Sequence, residues 1–167
     1  MKTIILSLLL AFAVASPVMA QEPAPIIKEL RSIVADASTG FESYLGEVDG
    51  KDEASGTTFY KSKKEPEASI SQAFIMEKEA TAHRTFILRY NVKDLDAMML
   101  KMMMIMAQKY MDEINAMVKS GNYTGRDYEK PDGTTVTEIN DLEGNHIMDY
   151  QSTNDQQMIL VYGTNGH

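Results

Sequence analysis

From Ile26 onward the apolar residues Ile26, Ile27, Leu30, Ile33 and Val34 recur at helical spacing and predict a first helix. Pro23 and Pro25 lead into it as extended backbone, and Ser38-Thr39-Gly40 interrupts the period, with a short turn expected through Phe41, Tyr44 and Leu45. The segment "GEVDGKDEASG", Gly46 to Gly56, has no apolar period and predicts a solvated acidic loop. It lacks the alternating oxygen ligands and spaced terminal Glu of a calcium loop. Beyond it the period falls to two. Thr57–Lys61 is rich in β-branched and aromatic residues, Ile70, Gln72, Phe74 and Met76 share one strand face, and Phe86, Leu88 and Tyr90 alternate with Ile87. The charged "EKEATAH" between the last two predicts an exposed hairpin tip.

The second half repeats this order. A long helix is expected from about Val92 to Lys119, with Asp94 and Asp96 near its positive end and Ser120-Gly121-Asn122 just past its close. Four strands follow at Tyr123–Tyr128, Thr134–Ile139, His146–Gln151 and Gln157–Tyr162, parted by the turn-forming "KPDG", "DLEGN" and "STND". The whole reads α-βββ-α-ββββ, an α+β fold in which an antiparallel sheet is packed by a long Met-rich helix and an N-terminal helix. Helix followed by strands, twice, raises an internal duplication, although the halves do not align residue by residue. The layout is similar to the sheet-and-helix sandwich of PsbP-like proteins and to the tandem repeats of secreted β-lactamase inhibitor proteins. Layout alone assigns no function.

The long helix carries the least ordinary pattern. "MMLKMMMIMAQKYM", Met98 to Met111, holds seven methionines in fourteen residues. At about 100° per residue its polar side comprises Lys101, Gln108, Asp112, Asn115 and Lys119. Opposite lie Leu95, Met99, Met103, Met106, Tyr110, Ile114 and Met117, an ordinary core stripe. Met98, Met104 and Ile105 are surplus to that stripe, and between Ala97 and Ala107 the one polar residue is Lys101. A helix apolar on most faces is usually buried on most faces, so a cover is expected. It could be the first helix, with Ile26, Ile27, Leu30 and Ile33 alongside and methionine filling uneven gaps. It could equally be a protein partner, a second subunit or an apolar ligand held by Met98, Met102, Met104 and Ile105. Met98, Met102 and Met106 also share a side at spacing four, the type of soft thioether set that Cu(I) favours, but a rigid helix holds them in line and no thiolate assists.

The N-terminus and the composition narrow the class. Lys2, an uncharged apolar run from Ile4 to Ala15 and the small residue Ala20 predict a signal peptide over 1–20, leaving one exported domain over 21–167. The run is too short to span a bilayer comfortably. The expected location is periplasmic or extracellular, with no membrane anchor after cleavage. The chain has no cysteine, so its stability rests on packing without disulfides. A net charge of −8 argues against nucleic acid, and Lys61, Lys63 and Lys64 are followed at once by Glu65 and Glu67.

Candidate chemistry is sparse. There is no Gly-x-Ser-x-Gly elbow, no cysteine nucleophile and no Gly-rich phosphate cradle after a strand, so no catalytic residue, metal or cofactor is assigned. The imidazoles are His83, His146 and His167. On a regular strand His146 and Asp149 point to opposite faces and do not pair. Glu77, Glu79 and His83 sit together at the hairpin tip without helical metal-ligand spacing. Carboxylate pairs for a small secreted hydrolase are not singled out by spacing. The expectation is an exported, non-enzymatic binding or accessory protein that works through its Met-rich helix; a hydrolase using acidic residues and a Cu(I)-handling protein are the alternatives.

Overall fold

The computed structural model describes residues 25–67, 71–93 and 95–163. The signal-peptide pattern, Ile70, Asp94 and His167 lie outside the described residues. The period-two runs become strands of one eight-stranded antiparallel sheet. In chain order the elements are β1 (Ile26–Ile27), α1 (Leu30–Asp36), β2 (Leu45–Asp52), β3 (Thr57–Ser62), β4 (Glu65–Pro66), β5 (Ser71–Lys78), β6 (His83–Asn91), α2 (Ala97–Lys119), β7 (Tyr123–Glu129), β8 (Thr135–Asp141), β9 (His146–Ser152) and β10 (Gln156–Tyr162). The large sheet runs β2-β3-β5-β6-β10-β9-β8-β7, and β1 and β4 form a separate parallel pair. Each half is thus a helix followed by a four-stranded meander, and the last strands of the two meanders, β6 and β10, meet at the sheet centre.

The fold is therefore α+β with a β-rich balance, and three expectations about its order change. "GEVDGKDEASG" is not a loop throughout, because Leu45–Asp52 forms edge strand β2 against β3. Its residues are mostly exposed on both faces, so no apolar alternation marks it. Its register slips twice, between Leu45 and Val48 and again between Val48 and Gly50. Gly46 permits the close approach, since a Cβ there would stand 2.5 Å from the Lys61 carbonyl oxygen. The first helix starts at Leu30 instead of Ile26, because Ile26 and Ile27 pair with Glu65 and Pro66. The long helix starts at Ala97, where the Asp96 carboxylate accepts from Met99 N at 2.8 Å and caps the first turn.

The core lies between the two helices and one sheet face. Tyr60, Ile75, Phe86, Val161, Met148 and Ile139 stand in one register row across six strands. All but the half-buried Tyr60 are buried. The next row places Leu88 beside Ile159, also buried. Above them α1 contributes Leu30 and Ile33, and α2 contributes Met103, Tyr110, Ile114 and Met117. Each such side chain adds roughly 1.5–3 kcal/mol by leaving water. Phe41 and Tyr44, in the turn after the first helix, close the same core against Phe86 with ring centroids 5.9 and 5.3 Å away. Gly40 at φ +66° breaks the helix there.

Helix α1 has no side-chain cap of its own. Its first amides are met from α2 instead: Glu113 Oε2 accepts from Leu30 N at 2.7 Å and from Arg31 N at 3.4 Å. This bond joins the two helices and satisfies donors that a helix start leaves open. Deeper down, Tyr90 from β6 and Tyr110 from α2 lie with rings 6.3 Å apart, both buried. Their hydroxyls neighbour each other in the core, with Ser71 beside Tyr90. Burial pushes the Tyr90 phenol well above the ordinary tyrosine range and raises that of Tyr110.

Two outcomes follow for stability. Glu113→Ala lowers the urea midpoint by the equivalent of about 1 kcal/mol, the scale of a lost helix cap, with little change in the denaturant slope. Tyr110→Phe, which leaves the Tyr90 hydroxyl without its Tyr110 neighbour, lowers the unfolding free energy by about 1 kcal/mol in the same urea measurement. No loss in that second variant would mean that the two hydroxyls do not bond to each other in solution.

Candidate functional site

The sequence singled out Met98, Met102, Met104 and Ile105 on α2, and the structure leaves all four at the surface. They are 74%, 41%, 61% and 60% exposed. Exposure is not confined to the surplus. Met99, which the helical wheel assigns to the core stripe, is exposed too, as is Leu100. Around one turn these six side chains point in nearly every direction, so the first half of α2 stands proud of the sheet. Met103 is the buried anchor of this half, with Leu95 and Met106 partly buried beside the core. The first helix does not supply the expected cover. It packs beside the second half of α2, where Glu113 meets its amides and where Val34 and Ala35 face Ala116 and Met117 across a shared groove. At about 1.5 Å per residue, seven residues of α1 reach about 10 Å against the roughly 35 Å of α2.

A second group of residues comes together on the opposite, helix-free sheet face. His146 Nε2 lies 2.7 Å from Asp149 Oδ1. This overturns the expectation that a separation of three sends the two side chains to opposite faces. The cause is a bulge between β8 and β9: Ile139 pairs with Met148, yet the next residue, Asn140, pairs with His146. Ile147 is the extra residue, and one extra residue reverses the alternation, bringing His146 to the Asp149 side. The preceding turn fixes the bulge, with the Asp141 carboxylate accepting from the amides of Glu143 and Asn145 at 2.9 and 2.7 Å.

Asp149 is only 4% exposed. Its Oδ2 accepts from Tyr162 Oη at 2.8 Å and from Gln151 Nε2 at 3.2 Å. The Tyr162 ring also packs on the His146 imidazole, centroids 4.4 Å apart. Burial and the Asp149 carboxylate together hold the Tyr162 phenol above its ordinary range. Across the strand stands Glu138, in register with Asp149. It accepts from Asn140 Nδ2 and from Arg126 Nη2, each at 2.9 Å. Those bonds hold its carboxyl below the ordinary carboxylate range, the Asn140 bond first and the Arg126 bond second. One ligand atom each from Glu138, His146 and Asp149 lie within 4.8 Å of one another.

The hairpin-tip group resolves differently. Glu77 is tied to Arg84, and Glu79 accepts from Lys51 and Thr58, each at 3.2 Å. Both carboxylates are engaged by cations on the sheet. His83 pairs in register with Lys78 at the start of β6.

Comparison of the chain with family models, with characterised proteins and with solved structures gives no match. The site must therefore be read from its own chemistry. Tyr162→Phe takes one of two donors from Asp149 Oδ2 and lowers unfolding free energy by roughly 1–3 kcal/mol. Urea unfolding at neutral pH measures this, and a loss below about 0.5 kcal/mol would mean that Asp149 is solvated in solution.

Proposed function

We propose that this chain is an exported, non-enzymatic binding protein that presents the first half of α2 to a protein partner with an apolar groove. The observation that carries the reading is exposure on most sides of one helical segment, with Met103 alone packed inward: Met98, Met99, Leu100, Met102, Met104 and Ile105 are each more than a third exposed. Contiguous apolar surface of this kind marks interaction sites in soluble proteins. A flat partner covers one side of a helix, whereas a groove encloses it, the helix-in-groove mode in which apolar anchors recur at one-turn spacing. Met98, Met102 and Ile105 have that spacing on one side, with Leu100 and Met104 opposite. Methionine suits such docking because its unbranched thioether chain re-packs against varied shapes. Export is supported by the basic, apolar and small-residue order of positions 1–20.

The test places a photo-crosslinking residue at position 104, with position 143 as an exposed control, in cells that make the protein. The crosslinked protein is then purified and the complex reconstituted. The expected result is one heterologous protein crosslinked from position 104, re-forming a stoichiometric complex that Met98→Gln with Met104→Gln weakens at least tenfold. The same double variant changes stability by no more than about 0.5 kcal/mol, as exposed positions do. Crosslinks between copies of this chain alone would replace the groove partner by self-association. A reconstituted complex indifferent to the double variant would overturn the assignment.

A further inference from the structure

We infer that Glu138, His146 and Asp149 form a binding site for a divalent transition-metal ion of the zinc class, on the sheet face opposite α2. The donors are the right kind: an imidazole nitrogen and two carboxylates are hard-to-borderline ligands that suit such an ion, and each can contribute one atom within 4.8 Å of the other two. They also sit on paired strands β8 and β9 and not on a loop, so the backbone fixes their spacing.

Two further observations point the same way. Asp149 is nine-tenths buried, and the groups that reach it are Tyr162, Gln151 and the His146 imidazole. No Lys or Arg forms an ion pair with it among the described residues. A buried carboxylate with no Lys or Arg against it relies on these hydrogen bonds to offset the cost of its burial. Glu138 pairs with the guanidinium of Arg126, the one permanent cation against the two carboxylates. A divalent ion that displaces Arg126 balances both carboxylates. The bulge at Ile147 is the other observation: it breaks the β8–β9 ladder, and what it achieves is to turn His146 onto the carboxylates.

The chemistry of uptake balances simply. The ion takes the Nε2 lone pair of His146 in place of the Nε2 bond to Asp149 Oδ1; the imidazole keeps one ring proton, on Nδ1, and any second one is released to water. Arg126, whose side chain is 67% exposed, yields Glu138 Oε2 and returns to water. Asn140 and Tyr162 remain on the outer oxygens and orient the two carboxylates, the role that outer hydrogen bonds play around bound metals. Three protein donors leave a fourth position, and the half-exposed His146 opens it to water.

The test is titration of the full purified chain, stripped of metal by chelator, with Zn²⁺ against a chromophoric competitor, and with Co²⁺ for its visible spectrum. The expected result is one ion per chain with a Co²⁺ spectrum of nitrogen and oxygen ligation. His146→Gln and Glu138→Gln each weaken it by at least the roughly 10- to 100-fold seen when outer partners of metal ligands are lost. His83→Gln leaves it unchanged. Arg126→Ala tightens it severalfold by freeing Glu138, a gain that mere damage to the fold cannot produce. Zn²⁺ also raises the thermal midpoint of the parent chain and not of His146→Gln. Binding that survives His146→Gln, binding lost in His83→Gln, or weakening by Arg126→Ala would each overturn the assignment.

Discussion

Everything in this molecule hangs on the pairing of β6 with β10. It is the one seam between the two meanders, running from Thr85 opposite Tyr162 to Asn91 opposite Gln156. Each meander brings four strands and a single helix. Joined, they continue the register row that carries Ile75 and Phe86 from one half into Val161, Met148 and Ile139 from the other. The seam joins residues 65 to 77 positions apart in the chain, whereas the other ladders of the sheet are local hairpins. Closing so long a loop costs more chain entropy than closing a hairpin.

The seam also sets where the two distinctive surfaces fall. Both helices lie on one face, over the row of buried side chains, and the face away from them carries Glu138, Asp149 and Tyr162. Because α1 is short, it seals the second half of α2 and leaves the first half standing clear. The apolar helix surface and the His146 cluster are thus on opposite sides of one sheet, held by the same strands yet without shared residues.

Much of this was legible in the sequence. The strands after α2 and their turns follow directly from period-two alternation and from "KPDG", "DLEGN" and "STND", since half-buried strands between tight turns leave that imprint. Strand β2 left no imprint because an edge strand exposed on both faces has no inside to record. The surplus around Met98 and Met104 was visible as composition, but whether it was covered depended on how far α1 reaches along α2, which is a matter of length and docking. The His146 pairing was hidden by a single bulged residue, to which strict alternation is blind. Its one trace is "DLEGN", where Asp141 ends β8 and a four-residue connection containing Gly144 follows, longer than the two-residue turns that close a regular hairpin.

The mirrored strand order makes the first strand of each meander, β2 and β7, an outer edge of the sheet. Edges invite strand addition from other chains, and both are built to refuse it. β2 carries Glu47, Asp49 and Asp52 and slips its register twice, and β7 carries Arg126, Asp127 and Glu129 along a strand exposed almost throughout. A protein that shows so much bare methionine can stay dispersed at high concentration only if its backbone offers no template. Here the rims, charged on both edges and irregular at β2, confine stickiness to side chains and deny it to the peptide groups from which fibrils grow.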